Sequence, residues 1–495
     1  MGKRLWTPLV VDLLLLLVIS GDTSTAVAQA LGTFTPTDTM RNARYGHTAT
    51  PLLNGKVLIT GGSGSGSGNS TELFDLSSGR FTTAGNMTTI RSDPSATLLP
   101  DGRVLIAGGD KLGTAELYDP ANGTFTATGN MVTPQYWHKA TLLNNGKVLI
   151  AGGGRDCPNQ NDGCLIVERP ELYDPATGTF TVTGDYADKS GDPWFETAGL
   201  VSAPATLLPN GKVLIAAEPT AELYDPGTGT FELTGQMTRG RLDRQPGWGI
   251  GGTATLLTNG KVLLAGGQIF ELSYLADAEL YDPTTGKFTA VGSMVKARDG
   301  HTATLLSDGT VLIAGGQGWD AINGLCCYAT GSRADAEVYD PLSGVFQSTA
   351  SMVGRRLWPA ATLLTDGKVL MSGGWDRAGA VDTAELYVPS VLVPAPVVTN
   401  IQFDRTTVVA GTSYSVNVSV ADITAQTFFD VRFIAPGSKT SDVVLNWQRG
   451  VTASHGVPAG TASGIWTING VRPHQIETDH TGSFIPVSAT ITVSP

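Results

Sequence analysis

Short runs of apolar residues alternate with turn-forming residues along most of the chain. Residues 140–153 read Ala-Thr-Leu-Leu-Asn-Asn-Gly-Lys-Val-Leu-Ile-Ala-Gly-Gly, and close variants of this phrase occur seven times between residues 49 and 374. Asn-Gly or Asp-Gly between two apolar runs is a strong hairpin signal, because a two-residue type I′ turn requires positive φ at both central residues. Each copy therefore predicts two antiparallel strands, A and B, joined by a tight turn.

A second phrase follows each copy after a gap of variable length. It is typified by residues 115–131, Ala-Glu-Leu-Tyr-Asp-Pro-Ala-Asn-Gly-Thr-Phe-Thr-Ala-Thr-Gly-Asn-Met. The Asp-Pro and Asn-Gly steps predict another turn, so strands C and D follow strands A and B. Four-stranded units repeated in this way predict an all-β fold, the β-propeller, in which the sheets pack face to face around a ring.

The paired glycines that end strand B and the aromatic residues of strands C and D resemble the kelch repeat. In the second unit the glycines are residues 108–109 and the aromatic residues are Tyr118 and Phe125. The resemblance covers residues 31–389 and implies a kelch-type propeller with seven blades. Two departures are visible, because residues 216–217 are alanines and strand D carries Phe where kelch proteins often have Trp. The strand D residues are Phe34, Phe81, Phe125, Phe180, Phe231, Phe288 and Phe346.

The two ends of the repeat region are incomplete in a complementary way. Residues 32–40 have the pattern of a strand D without strands A to C before it, and the last unit ends at residues 384–389 without a strand D. The two fragments complete one blade, so we predict that the N-terminal strand closes blade seven. Closure of the ring leaves only short sheet edges. The propeller is predicted to span residues 31–390.

The pattern changes after a linker at residues 391–396. Residues 397–495 contain six or seven short alternating β segments, without paired glycines and without Cys. This pattern predicts an immunoglobulin-like β-sandwich. A kelch-type propeller followed by such a domain resembles the galactose-oxidase arrangement, and a shared arrangement by itself does not establish a shared activity.

Residues 1–30 have the pattern of a signal peptide. Lys3 and Arg4 precede an apolar run at residues 9–19, and residues 28–30 form a small-x-small cleavage site. The apolar run is too short to cross a bilayer core of about 30 Å as a helix. We therefore predict cleavage near Ala30, no membrane insertion, and a secreted protein in an extracellular, periplasmic or cell-surface location.

Composition narrows the class of partner. Charged residues make up 15% of the 495-residue chain, and 32 Lys and Arg against 44 Asp and Glu give a net charge of -12. No block of basic residues interrupts this acidic balance. A nucleic-acid partner is therefore not expected, because binding to phosphates requires clustered cations.

Loop lengths indicate which face of the propeller carries function. The A–B and C–D turns are short and alike, whereas the B–C and D–A segments on the opposite face vary widely in length. Insertions confined to one face of a repeat array mark the binding face, which we call the loop-rich face. Six tryptophans of these segments are predicted to stack on a sugar or to grip a protein, and packing between blades is the alternative for any one of them. They are Trp137, Trp194, Trp248, Trp319, Trp358 and Trp375.

Arginine and histidine recur near the start of strand A. Four arginines are predicted to ring the channel mouth with positive charge and to favour an acidic ligand: Arg44, Arg91, Arg298 and Arg356. Three histidines at one repeat position are predicted to be structural, and a metal site is the minor alternative because the ring spreads them apart. They are His47, His138 and His301.

The cysteines are candidates for disulfides in an oxidising compartment, namely Cys157, Cys164, Cys326 and Cys327. The galactose-oxidase resemblance implies a copper site made from a Tyr cross-linked to Cys, a Tyr-His pair and a His of the second domain. The chain has no Tyr-His dipeptide, and its nearest phrase is residues 136–138. His455 is the candidate from the second domain. We therefore predict no cofactor and keep copper as an alternative.

The combined prediction is a binding module rather than an enzyme. We expect a secreted or cell-surface monomer that recognises an extracellular polysaccharide or protein through the loop-rich face. The alternative is a carbohydrate-active enzyme, a glycosidase or lyase, and a copper-radical oxidase is less supported. In a glycosidase or lyase, the general acid and base would come from acidic residues of the insertions. Examples are Asp188, Asp192, Glu196 and Asp243.

Overall fold

The computed structural model describes residues 32–155, 165–166, 169–187, 202–216, 220–238, 252–269, 273–322, 325–390 and the strands between residues 397 and 494. Side chains are described up to residue 390, except for residues 155, 165–166, 220, 269, 273, 319–322 and 325–330. By internal contacts the chain contains a unit at Ala30–Leu392 and a second unit that includes Val393–Pro495. In the described ranges, every regular element is a β-strand.

The first unit is a propeller of seven antiparallel sheets, each with strands A to D in order from the inside to the outside. Blades one and two comprise Thr48–Pro51, Lys56–Thr60, Thr71–Asp75, Arg80–Thr83 and Ser95–Leu98, Val104–Ala107, Ala115–Asp119, Thr124–Ala127. Blades three and four comprise Tyr136–Leu142, Val148–Arg155, Glu171–Asp174, Thr179–Val182 and Ala205–Leu207, Val213–Ile215, Thr220–Asp225, Thr230–Gln236. Blades five and six comprise Thr253–Leu256, Val262–Ala265, Ala278–Asp282, Lys287–Ala290 and Asp299–Leu305, Val311–Ile322, Ala336–Asp340, Val345–Ser348. Blade seven comprises Ala360–Leu363, Val369–Ser372, Ala384–Pro389 and Gly32–Pro36.

The A–B turns differ from the predicted type in one respect. In blade three the ladder continues to Leu143 N–H, which donates to Lys147 O at 2.8 Å, and Gly146 N–H donates back to Leu143 O at 2.9 Å. The loop is therefore one residue longer than a type I′ hairpin. Among the described A–B turns only the glycine has positive φ, as at Gly146 with φ of 81°. An ordinary turn followed by a left-handed glycine supplies the strand twist that a type I′ turn would have supplied.

Strand B forms the centre of each blade, and its residues are buried on both faces. Between blades two and three, Leu105 and Leu117 pack against Val148, Ile150 and Tyr173. Equivalent apolar clusters lie between the other neighbouring blades. The continuous Val-Leu-Ile-Ala phrases therefore reflect burial on both sides of a sheet, since a half-exposed strand would alternate with polar residues.

Each strand D phenylalanine packs on the aromatic residue of strand C in its own blade. The ring centroids of Tyr118 and Phe125 are 4.9 Å apart and tilted by 45°, and the other six blades repeat this pair. Several of the tyrosines also reach the blade before them, as where Tyr173 Oη lies 3.0 Å from Thr128 Oγ1. The aromatic pair therefore joins the outer two strands and ties adjacent blades together.

The predicted closure of the ring is confirmed. Gly32–Pro36 pairs antiparallel with Ala384–Pro389, with Gly32 opposite Pro389 and Phe34 opposite Tyr387. The rings of Phe34 and Tyr387 are 4.9 Å apart, so the N-terminal strand makes the same aromatic contact as every other strand D. Blade seven thus contains both ends of the propeller sequence.

Residues beyond 397 form two further sheets. One has three strands, Val397–Phe403, Ser413–Ala421 and Ala453–Gly456, and the other has five, Thr407–Val409, Phe428–Ile434, Ser441–Gln448, Gly464–His474 and Ala489–Ser494. Thr407–Val409 pairs parallel with Ala489–Ser494, and the other pairings are antiparallel. The assignment of this unit as immunoglobulin-like stays a prediction.

Candidate functional site

The four recurrent arginines lie inside the blades. Arg44, Arg91, Arg298 and Arg356 have no exposed surface. Arg44 Nη2 is 2.9 Å from Glu72 Oε1 on strand C, and its Nη1 donates to Gly61 O at 3.0 Å. The other three make the same two contacts, with Glu116, Glu337 and Glu385 and with the first glycine of each pair. The expected ring of exposed positive charge is therefore absent at these positions, because each guanidinium is already paired.

The glutamate partners stabilise the blades, and no prediction from the sequence named them. Glu72 accepts hydrogen bonds from Arg41 N–H at 2.7 Å and Asn42 N–H at 3.3 Å in the incoming D–A segment. In blade three Gln135 replaces the arginine, and Glu171 accepts from Val132 and Thr133 N–H at 2.8 Å. Burial raises the pKa of Glu171, since no guanidinium compensates its desolvation. The recurrence of Glu in the Ala-Glu-Leu-Tyr phrase was the available signal.

The three histidines join neighbouring blades. Nε2 of His47 lies 2.9 Å from Ser372 Oγ, and Nε2 of His138 lies 2.8 Å from Ser95 Oγ. His301 Nε2 lies 3.2 Å from Thr253 Oγ1 in the same arrangement. Burial lowers the pKa of His47 and of His138 to about 3, so both imidazoles are neutral at physiological pH. Each of the three rings therefore contacts the blade before its own.

The residue just before the histidine position has left-handed backbone in every blade where it is described. The φ values are 61° at Gly46, 52° at Asp93, 58° at Trp137, 63° at Ser202, 58° at Gly300 and 52° at Trp358. We call these residues the left-handed ring. Holding a residue other than glycine in this region costs about 1–3 kcal/mol, and such strain concentrates at functional sites. Four of these six positions carry that cost.

The left-handed ring is interlocked from blade to blade. A Cβ atom on Gly46 would clash with Asp93 Oδ1, and a Cβ on Gly300 would lie 2.8 Å from Trp358 Nε1. Each of these larger side chains therefore lies over the glycine of the preceding blade. Asp93 also accepts a hydrogen bond from the side chain of Trp137. Glycine in one blade thus makes room for a larger side chain from the next.

A cavity of about 300 Å³ lies where strands A of blades one to four begin, on the loop-rich face. We call it the channel cavity. Its lining residues are Gly46, His47, Thr48, Asp93, Pro94, Ser95, Trp137, His138, Lys139, Ala140 and Ser202. It combines an indole, a carboxylate, an ammonium group and several hydroxyls, which is the mixed apolar and polar lining typical of small-ligand sites.

Asp93 and Lys139 are the charged pair of the channel cavity. Burial raises the pKa of Asp93 to about 7, against the opposing effects of Lys139 and the Trp137 hydrogen bond. Burial lowers the pKa of Lys139, against the opposing charge of Asp93. The Lys139 side chain is nevertheless exposed to solvent, so it is open to the cavity. Within the described part of the chain neither residue forms a direct ion pair.

Beside the cavity lies an aromatic cluster made of Tyr45, Trp358 and Trp375. Tyr45 is 5.8 Å from Trp358 and 5.0 Å from Trp375 between ring centroids, the second contact being edge-to-face. Trp375 keeps 39% of its surface exposed. Because Tyr45 precedes Gly46 in the chain, the cluster adjoins the wall of the cavity.

The residues predicted for the site lie in different parts of the structure. The structure brings Trp137, His47 and His138 to the cavity, and it brings Trp358 and Trp375 to the aromatic cluster. Trp319 belongs to strand Val311–Ile322, which pairs with Leu325–Ser332 in an extended hairpin on blade six. The predictions made for other residues lie outside the described side chains: Trp194, Trp248, Asp188, Asp192, Glu196, Asp243, Cys157, Cys164, Cys326, Cys327 and His455.

The repeat unit, the ring closure and the paired-glycine contacts define a seven-bladed kelch-type β-propeller. The Kelch motif profile matches residues 251–295. No curated protein matches the chain. A solved structure described as a novel fungal alcohol oxidase with catalytic diversity among the AA5 family, in complex with copper, is similar over 94% of this chain and 100% of that chain, with 19% identity and a TM-score of 0.59. At this identity the similarity establishes a shared fold and leaves activity open.

Because that neighbour binds copper, we compared the possible metal-ligating side chains of this chain with those that a copper site needs. Among the described residues there is no group of three or more His, Cys, Asp or Glu side chains that could hold a metal ion. His47 and His138 each use Nε2 on a serine hydroxyl, and Asp93 is the one carboxylate among the described lining residues. The described lining of the channel cavity therefore does not fit a copper centre.

The described part of the chain contains no helix long and apolar enough to cross a membrane.

Proposed function

We propose that this propeller is a secreted saccharide-binding module that holds a sugar in the channel cavity on its loop-rich face. The observation that carries the proposal is the cavity of about 300 Å³, which Trp137, Asp93 and Lys139 line together. Trp137 and Asp93 have strained, left-handed backbone. A concave site of this size suits a sugar ring better than the flat surface of a protein partner. An indole face packs on the apolar face of a sugar, while charged groups and hydroxyls bond its oxygens.

The adjoining aromatic cluster supports a ligand longer than one sugar. Trp375 and Tyr45 present ring surface next to the cavity wall, so a chain of sugars that enters the cavity would pass over the cluster. The similar fungal alcohol oxidase shares the fold, and the proposed ligand rests on the cavity and the cluster alone.

A substitution of Trp137 by glycine tests the site directly. Glycine occupies the same position of the left-handed ring in blades one and six, so Trp137→Gly keeps the backbone and relieves strain. We expect binding to saccharides on a glycan array, followed by calorimetry, to weaken at least about tenfold, while the thermal midpoint changes by only a few degrees.

Leu342→Ala is the matched control, because Leu342 is 99% exposed in the C–D turn of blade six, on the opposite face. It should leave binding unchanged. A folded Trp137→Gly protein that binds saccharides as well as the parent would refute the proposed site.

An enzyme is the second candidate, and one observation favours it. Asp93 titrates near neutral pH, where a group transfers protons most effectively. Hydrolysis of a glycosidic bond ordinarily uses two carboxylates, however, and Asp93 is the one carboxylate among the described residues that line the cavity. Binding is therefore preferred. Release of reducing ends or of unsaturated sugars from array-positive polysaccharides, abolished by Asp93→Asn, would establish turnover instead.

A further inference from the structure

Lys139 is distinctive among the seven blades. It is the first residue after the histidine position, where the other blades have small or hydroxyl side chains: Thr48, Ser95, Pro204, Thr253, Thr302 and Ala360. The lysine at this position is among the residues that line the cavity. The recurrent arginines are buried in pairs with glutamate, so they do not supply this charge.

Asp93 does not cancel the charge of Lys139 by direct contact. Its carboxylate lies over Gly46 and accepts a hydrogen bond from the Trp137 side chain. No direct ion pair joins the two residues, although each affects the pKa of the other. The other titratable groups of the cavity, His47 and His138, are neutral. Lys139 is therefore the one cationic side chain among the described residues that line the cavity.

We propose that the channel cavity recognises the carboxylate of an acidic saccharide, a sugar of the uronic-acid class, through Lys139, with the sugar ring against Trp137. This inference rests on the proposed saccharide-binding function and specifies its ligand. An ammonium group without a contacting counter-ion, in a concave site lined by protein, attracts a carboxylate more strongly than the same group does on an open surface. Lys139 is thus the specificity-determining residue, and Trp137 provides the surface on which the sugar lies.

Asp93 gives this binding a dependence on pH. A bound carboxylate adds a second negative charge beside Asp93, which favours the protonated form of Asp93, so binding takes up a proton. Affinity for a uronate should therefore rise as the pH falls from about 8 to 6, because the sugar carboxylate stays ionised in this window. His47 and His138 titrate below it and do not contribute.

The test is calorimetry on the full mature chain with galacturonate and glucuronate oligomers, and with neutral galactose and glucose oligomers, at pH 6, 7 and 8. We expect at least about a tenfold preference for the acidic oligomers at pH 6, and several-fold weaker binding at pH 8. Lys139→Met should remove the preference. Lys147→Met, which removes an exposed lysine from the A–B turn of the same blade, should not. Asp93→Asn should bind uronates with an affinity that changes less with pH than that of the parent, and a change as large as in the parent would show that Asp93 does not cause it.

The outcomes separate this inference from the proposed function. If neutral oligomers bind as well as acidic ones, or if Lys139→Met keeps the preference, the acidic ligand is refuted and saccharide binding stands. If neither class binds, both fail. If acetate or sulfate competes as effectively as a monomeric uronate, the cavity is a general anion site and the saccharide assignment is wrong.

Discussion

At the scale of single residues, the position before the repeated histidine decides what the channel contains. Glycine there leaves space, whereas Asp93, Trp137, Ser202 and Trp358 accept left-handed backbone in order to place a side chain at the channel. Gly46 and Gly300 hold this position in blades one and six, but a single repeat does not reveal that the larger residues of the other blades are held in a strained conformation. Asp93 and Lys139 were overlooked for the same reason, since nothing local to either residue reveals the cavity between them.

The buried histidines predict a loss of stability in acid. His138 has a pKa of about 3 in the folded state, against 6.5 for the unperturbed group, so the unfolded chain binds more protons between these values. Stability should therefore fall as the pH decreases from about 6.5 towards 3. His138→Gln, which keeps a group able to bond Ser95, should reduce this slope in urea unfolding measured at pH 4.5 and 7.

Measurement of the parent and His138→Gln above pH 6.5 is the control for this prediction. Above pH 6.5 the neutral imidazole and the amide should confer similar stability, so any difference there measures packing alone. An identical pH slope in the variant and the parent would show that His138 is accessible to protons in the folded protein.

At the scale of elements, the blade is held by one repeated contact set that crosses its strands. The arginine before strand A reaches the glutamate of strand C and the glycine that ends strand B, and the glutamate bonds the D–A segment. The Gly-Gly and Glu signals of the sequence are therefore parts of one buried ion pair with its hydrogen bonds. The A–B turn type could not be predicted, because the same Asn-Gly residues fit a two-residue and a three-residue loop.

Removal of one member of this ion pair should destabilise the propeller strongly. Glu72→Gln leaves Arg44 buried without its counter-ion, and we expect a loss of about 3–5 kcal/mol in the free energy of unfolding. Glu232→Gln is the matched control, because Glu232 pairs with Lys212 on the surface and should contribute less than about 1 kcal/mol. Chemical denaturation of both variants measures the difference. Equal losses in the two variants would mean that burial of the Arg44 pair has no special effect.

At the scale of the whole propeller, closure depends on five residues that are far in sequence from their partners. Gly32–Pro36 completes blade seven, and Phe34 repeats the aromatic contact of every other blade. Each sheet packs against a neighbour on both faces. Opening the ring at one junction therefore exposes one apolar face on each of the two blades there. The N-terminal strand therefore affects blades on both sides of the junction.

Truncation tests this dependence. A chain that begins after Pro36 should show a thermal midpoint lower by ten degrees or more, with faster amide exchange in blades one and seven, because loss of a paired strand and its phenylalanine costs several kcal/mol. Phe288→Ala is the control, since it removes the equivalent ring from blade five while the strand stays connected to its sheet. A truncated protein with the midpoint of the parent would show that the ring is stable when open.

The repeats by themselves determined the number of blades, the order of strands and the closure of the ring, because these follow from the period of apolar runs and turn residues within one unit. Only the tertiary structure decided which recurrent residues are available to a ligand. The arginines face inward to their glutamates, whereas Asp93 of blade two meets Trp137 and Lys139 of blade three at one cavity. Burial and proximity between blades depend on how the sheets are arranged around the axis, and no pattern within a single repeat contains that information.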